Sequence, residues 1–319
     1  MKRVLIVESS ALPKIFIDEI RNNITGIEIV SCFDNKESII NSLNNINGLI
    51  GCPRPLFSKD LLESAGDSLE WIHVPGAGIE EFLIEKFVNS DIVLTNGKII
   101  QGPEVSDHAL ALLLSLTRNI GLVTKGVAYK DMPRPIELRG KKALVVGVGG
   151  IGHLIAEKAA AFGMTVFGVD ENLIPMTSYI NKIVSPEEID ILLPEVDVVF
   201  NATPVTQKTI KMFDKKMFLN MKKTSYFINI SRGKIVDTDG LLEVVSSGHL
   251  SGVGLDVTDP EPLPENHGLH KLNNVIITPH IAGPSDFNRQ RSQEVVYNNI
   301  KRYSTSQPLI NVINKRLGY

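Results

Sequence analysis

Residues 142–163, KALVVGVGGIGHLIAEKAAAFG, restrict the fold more than any other stretch of this chain. A strand-length apolar run leads into Gly147-Val148-Gly149-Gly150-Ile151-Gly152, and a helical pattern follows at once. The first glycine of a G-x-G-x-x-G turn permits the tight reversal, and the third lets helix and strand pack closely. Such a strand–turn–helix unit leaves both faces of its strand to be covered, so it calls for parallel neighbours and helices on either side.

Those neighbours are present along the sequence. Short apolar runs alternate with helix-like segments: RVLIV, EIVSCF, GLIGC, EWIHV and DIVLT before residue 100, then KALVVG, MTVFGVD, NKIV, VDVVFNA, SYFINIS, GVGLDV and NVIIT after 140. Strands spaced by helices predict βαβ units and parallel sheets. Between the two sets lies VSDHALALLLSLTRNIGLVTKG, which predicts one long helix over about 103–126. Its centre is apolar nearly all round, which predicts burial and suits a second subunit against it; a homodimer is expected. A last helix from about 286 leads to PLINVINKRLGY. The middle set is complete as a domain by itself, so the tail is expected to return to the first. The expected fold class is α/β with two domains: a Rossmann-type doubly wound parallel sheet, 101–285, inserted in a flavodoxin-like α/β substrate domain, 1–100 and 286–319. Two crossings with a cleft between the domains would follow.

Composition excludes several classes. A net charge of −3 gives no basic patch for nucleic acid or an acidic membrane. The N-terminus has basic residues and then a run of only four apolar ones before Glu8, too few for a signal peptide, and ALALLLSL is too short to span a bilayer. Cys32 and Cys52 form no C-x-x-C and no metal-ligand spacing, so reduced thiols, no metal and a cytoplasmic location are expected.

The glycine loop predicts a ligand. Gly149 would let backbone approach a pyrophosphate, with Gly150, Ile151 and Gly152 opening the helix whose N-terminus meets the phosphate charge. Asp170 ends the next strand, 18 residues after Gly152, where a carboxylate would accept hydrogen bonds from ribose hydroxyls. Glu171 adds a second negative charge and no arginine stands near for a 2′-phosphate, so NAD is expected rather than NADP. A glycine turn with a capping aspartate is the plainer alternative.

Ligands of an open parallel sheet bind beyond the carboxyl ends of its strands. Three ionisable residues stand there in the second set: Arg232 after SYFINIS, Glu261 in the turn TDPEPLP, and His280 after NVIIT. A guanidinium can grip a carboxylate and polarise the adjacent carbonyl. An imidazole can move a proton near neutral pH, and a nearby carboxylate orients the ring and favours its protonated form. Together they suit hydride transfer between a nicotinamide and a 2-keto or 2-hydroxy acid. Singly, each has an ordinary reading: a surface pairing of Arg232 with Asp237, an exposed turn at Glu261, a capping histidine at 280.

The motifs VVGVGGIG, NATPVTQKT, INISRGKIVDTDGL, GHLSGVGLDVTDPEPLPENHGLHKLNNVIITPHIAG and VSDHALALLLSLTR resemble the D-isomer-specific 2-hydroxyacid dehydrogenases, the group that includes glyoxylate/hydroxypyruvate reductases and phosphoglycerate dehydrogenase. The resemblance is dense over 140–286 and looser elsewhere. It implies that Arg232 binds the substrate carboxylate and ketone, that Glu261 supports the histidine, and that His280 is the acid/base. It implies Asp170 on the adenosine ribose, and Thr203, Ile230, Asp256 and Gly283 along the rest of the nicotinamide cofactor. In VPGAGIE it implies that the amides of Ala77 and Gly78 hold the substrate carboxylate; a small-residue turn can expose such amides, and a purely structural turn is the alternative. Arg54, after the third strand, is expected to select a polar or anionic substrate side group, a surface arginine being the alternative. The chain departs from the family in two places. The linker GVAYKDMPRPIELRG lacks the usual tryptophan, and His270 stands where tryptophan is common. No regulatory domain is expected beyond Tyr319.

Two other functions compete. A formate dehydrogenase-like activity needs no proton abstracted, so a histidine–glutamate pair would have little purpose there. An NAD(H)-sensing, non-catalytic interaction protein of the same fold would keep the same residues, and turnover separates it from an enzyme.

Overall fold

The computed structural model describes residues 1–172 and 177–319. The chain divides into two compact units, Met1–Gln101 with Ser285–Tyr319, and Gly102–Pro284.

The first unit begins with β1 (Lys2–Val7), α1 (Lys14–Asn23), β2 (Ile27–Cys32), α2 (Lys36–Ser42), β3 (Gly48–Ile50), α3 (Lys59–Ala65), β4 (Trp71–Val74), α4 (Glu85–Val88) and β5 (Val93–Asn96). All strand pairs are parallel in the order β2-β1-β3-β4-β5, the flavodoxin-like arrangement. Four successive residues of β1, Val4 to Val7, are buried, as a strand covered on both faces requires. Leu5 and Val7 join Ile39, Leu61 and Phe87 on one side, while Val4 and Ile6 join Ile17 and Ile20 on the other. Asn35 and Ser58 start α2 and α3 by accepting from the amides of Ser38 and Leu61. The apolar pattern of EEFLIEKFV yields only a 3-10 turn at Glu80–Phe82 and the single turn of α4.

The second unit holds α5 (Gly102–Thr117), α6 (Ile120–Thr124), β6 (Lys142–Val146), α7 (Gly150–Ala161), β7 (Thr165–Val169), β8 (Lys182–Val184), α8 (Ile189–Leu192), β9 (Val198–Asn201), α9 (Lys215–Asn220), β10 (Tyr226–Asn229), α10 (Thr238–Ser246), β11 (Gly252–Leu255) and β12 (Val275–Ile277). Its sheet runs β12-β11-β10-β9-β6-β7-β8, all parallel. The chain winds outward from β6 through β7 and β8, then crosses to β9 and winds the other way. The reversal lies between β6 and β9, where doubly wound sheets open a crevice for ligand. The helix expected over 103–126 is broken. Asn119 adopts a left-handed φ of 59°, separating α5 from α6, and its side chain donates to the Pro133 carbonyl at 2.6 Å. Asparagine tolerates that conformation where the apolar residues around it do not.

The chain returns to the first unit with α11 (Asn288–Ser304), which buries Val296, Ile300 and Tyr303 in the same cluster as Val4, Ile17 and Trp71. Among the described residues no helix is long and apolar enough to cross a membrane.

Candidate active site

The glycine loop after β6 passes a steric test for its three key positions. Gly147 has φ +87°, and a Cβ there would lie 2.8 Å from the Ala202 carbonyl. At Gly152 a Cβ would lie 1.9 Å from the Gly147 oxygen. At Gly149 a Cβ would meet nothing within 4 Å, so the middle glycine faces open space. Gly149 and Gly150 are exposed at the start of α7, with Ile151 half-buried beneath them. This is the shape a pyrophosphate cradle needs: closed where helix meets strand and open at the helix N-terminus.

Asp170 follows β7 and is half-buried. Its Oδ2 accepts from the Val148 amide and its Oδ1 from the Asn172 amide, both at 2.8 Å, so it ties the glycine loop to its own strand end. Glu171 accepts from Lys208 Nζ at 2.8 Å; its negative charge is therefore partly offset where two bare carboxylates were expected. Beyond β9, the Thr203 hydroxyl donates to Asn201 Oδ1 at 2.7 Å, and the Thr203 carbonyl accepts from the Ser231 hydroxyl. Asn201 donates to Asn229 Oδ1 at 3.0 Å, joining the ends of β9 and β10. Ile230 is buried and Gly283 half-buried.

Arg232, Glu261 and His280 follow β10, β11 and β12, three adjacent strands of one parallel sheet. Arg232 is half-buried and donates from Nη1 to the Ser231 carbonyl at 2.8 Å. His280 Nδ1 lies 2.6 Å from Glu261 Oε1, with the two side chains 45% and 42% exposed. A carboxylate accepts only, so Nδ1 carries the proton of this bond and Nε2 is left for solvent or ligand. His280 adopts a left-handed φ of 55°. Its amide is shared between the carbonyls of Asp256 at 2.9 Å and Thr278 at 3.0 Å.

Asp256 is 1% exposed, and its carboxylate is engaged within the protein. Oδ1 accepts from the Thr278 hydroxyl at 2.6 Å and the Ile281 amide at 3.0 Å; Oδ2 accepts from the Ala282 amide at 3.0 Å. His108 Nε2 lies 3.3 Å from Oδ1. Burial pushes the Asp256 carboxyl up, but the bonds from His108, Thr278, Ile281 and Ala282 outweigh it and hold the group below the usual aspartate value. In the sequence, a lone imidazole on an apolar helix is the only sign of His108.

In the first unit, Arg54 follows β3 at the surface, and its Nη2 lies 3.5 Å from where a Gly76 Cβ would be. The turn after β4 is pinned by its carbonyls. Gly97 donates to the Gly76 carbonyl at 2.9 Å, and Asn96 Nδ2 donates to the Ala77 carbonyl at 2.6 Å. Gly97 must lack a side chain, since a Cβ would lie 2.2 Å from the Pro75 oxygen. Among the described residues no protein acceptor takes the amides of Ala77 and Gly78.

The sequence model described as "D-isomer specific 2-hydroxyacid dehydrogenase, NAD binding domain" matches residues 110–282, more than half of the chain. This chain belongs to that family. The dehydrogenase is 30% identical to the glyoxylate reductase of Thermococcus litoralis over 290 residues, 87% of this chain and 86% of that one. A D-isomer specific 2-hydroxyacid dehydrogenase family protein from Aeromonas salmonicida superposes with a TM-score of 0.83 at 26% identity, covering 99% and 100% of the two chains. A D-lactate dehydrogenase from Aquifex aeolicus, solved with NAD and lactic acid, gives a TM-score of 0.76 at 25% identity, over 98% and 99%. The dehydrogenase is thus an NAD-dependent oxidoreductase, and the open glycine loop fits that cofactor.

Proposed function

We propose that the protein interconverts a 2-keto acid and a D-2-hydroxy acid, with His280 as the acid/base, Glu261 as its support and Arg232 binding the substrate carboxylate and ketone. The observation that carries this reading is the 2.6 Å bond from His280 Nδ1 to Glu261, made at strand ends of the sheet that bears the open glycine loop. Bound NADH would supply the hydride. In the reductive direction Arg232 draws charge from the carbonyl, and His280 Nε2–H gives its proton to the oxygen as the hydroxyl forms. Glu261 holds the ring with Nδ1 turned away, so the proton leaves from Nε2 only. In reverse, His280 takes the hydroxyl proton.

Gly147, Gly149, Gly150, Ile151 and Gly152 are assigned to the pyrophosphate, and Asp170 to the ribose through its remaining lone pairs. Thr203, Ile230, Asp256 and Gly283 are assigned to the nicotinamide half; four protein donors already occupy the Asp256 carboxylate, so its main work is to hold the turn at His280. The free amides of Ala77 and Gly78 are assigned to substrate carboxylate. Arg54, beside the same turn, is assigned to an anionic group on the substrate side chain.

NADH oxidation with glyoxylate, hydroxypyruvate, 3-phosphohydroxypyruvate, pyruvate and bulkier 2-keto acids tests the proposal. Turnover of at least one supports it. NADH binding without turnover of any would replace it with an NAD(H)-sensing role. Loss of affinity for an anionic substrate in Arg54→Ala, with affinity for pyruvate kept, supports the role given to Arg54.

A further inference from the structure

The chain holds a second histidine–carboxylate pair, His108 and the buried Asp256, bonded to the turn that carries His280. His280 carries a side chain in the uncommon left-handed backbone region, and surrounding bonds hold it there. Those bonds converge on one residue. Asp256 accepts the His280 amide on its carbonyl, and the Ile281 amide, the Ala282 amide and the Thr278 hydroxyl on its carboxylate.

His108 fixes this hub from outside. The single hydroxyl hydrogen of Thr278 is given to Asp256 at 2.6 Å, so the Thr278 oxygen is left to accept. His108 Nε2 lies 2.9 Å from that oxygen and 3.3 Å from Asp256 Oδ1. Nε2 therefore carries a hydrogen and donates into the Thr278–Asp256 bond. The ring is held in place by its helix. One residue away, Asp107 accepts from Lys158 of α7 at 2.6 Å, and Lys158 also donates to Ser106 Oγ at 2.6 Å and to the Pro103 carbonyl at 2.8 Å. On the same helix, Ala109, Leu112 and Leu113 pack into the core.

We infer that His108 is a positioning residue for the reaction: through Thr278 and Asp256 it holds the left-handed turn that aims His280. The inference rests on His280 being the acid/base, as proposed above. It gives the histidine of VSDHALALLL a task that its place on an apolar helix does not suggest.

The test uses the full chain with His108→Phe, which keeps the bulk and removes the donor, and His108→Gln, whose amide N–H can reach the same oxygen. Two readouts are taken: kcat and KM for a keto acid the protein turns over, and amide hydrogen exchange at Ile281 and Ala282 in the free protein. His108→Phe is expected to lower kcat by about 10- to 100-fold with KM nearly unchanged, because a misplaced acid spoils the transition state more than binding. Exchange at both amides should quicken by about tenfold as local opening becomes easier, and His108→Gln should restore both readouts. Wild-type kcat in His108→Phe would overturn the inference, and so would a His108→Gln variant as impaired as the phenylalanine one. If His108→Phe does not fold, Thr278→Val cuts the same relay, and an unchanged kcat there overturns it too. If the wild-type protein turns over no 2-keto acid, the functional reading fails, and unaltered exchange in His108→Phe would separately remove the structural link.

Discussion

The two histidine–carboxylate pairs of the second unit use the same chemical groups for opposite ends. His280–Glu261 is short, at 2.6 Å, and more than two-fifths of each side chain is exposed. His108–Asp256 is longer, at 3.3 Å, with the carboxylate 1% exposed. In the first pair water competes for both partners, so the bond adds little stability and the ring stays free to exchange protons. In the second the carboxylate has no access to water, and each donor it holds becomes a constraint on the backbone. In the proposed mechanism, burial separates the pair that moves a proton from the pair that fixes a shape. His73, in the first unit, is a third case: it is 1% exposed and bonded through Nδ1 to Thr95 Oγ1 at 2.8 Å, with no partner at Nε2 among the described residues. Burial alone drives its pKa down to about 3.

Substitution should separate these roles. His280→Ala is expected to lower kcat by about 10²–10⁴-fold with a wild-type unfolding midpoint; a near-normal rate would remove it as the acid/base. Asp256→Ala should cost stability as well as rate, about 3–5 kcal/mol in urea unfolding, because several buried donors lose their acceptor. A loss below about 1 kcal/mol would mean that water replaces the carboxylate and that the contrast drawn from burial is wrong.

His73 sharpens the comparison through pH. Its folded pKa of about 3 lies below the unfolded value of about 6.5, so the unfolded chain binds more protons between those limits. Its contribution is complete above the unfolded value and is lost as pH falls towards the folded one, at up to about 1.4 kcal/mol per pH unit. Urea midpoints across that window should fall less steeply in His73→Gln than in the wild-type protein; equal slopes would assign the acid sensitivity elsewhere. The smallest effect is expected for Glu261→Gln: about tenfold in kcat, and under about 1 kcal/mol in stability for so exposed a pair.

The fold was largely legible because parallel strands buried on both faces appear as continuous apolar runs. KALVVG, VDVVFNA and SYFINIS all contain strands, and the glycine spacing marked the turn after β6. The broken helix was not, since one asparagine inside VSDHALALLLSLTRNIGLVTKG does not interrupt its apolar pattern. At the site, the strand ends bearing Arg232, Glu261 and His280 were visible in sequence order. The bond between Glu261 and His280 depends on how two loops curl, which no local pattern encodes. His108 was missed for a related reason: its partner Thr278 lies 170 residues away. The Glu171–Lys208 pair, 37 residues apart, escaped in the same way and changes the charge expected beside Asp170.

The position of α11 has a consequence for synthesis. Val296, Ile300 and Tyr303 complete a cluster begun by Val4 and Ile6, and the Tyr303 ring lies 5.1 Å from that of Trp71. The first sheet to leave the ribosome is therefore the last to be finished. At about 5–20 residues per second, the roughly 180 residues between the two parts of its unit take on the order of ten to forty seconds to make. For that interval the α11-facing side of β1 lacks the side chains that will cover it, while the second unit, made within the same interval, has its own core residues in hand before α11 is complete.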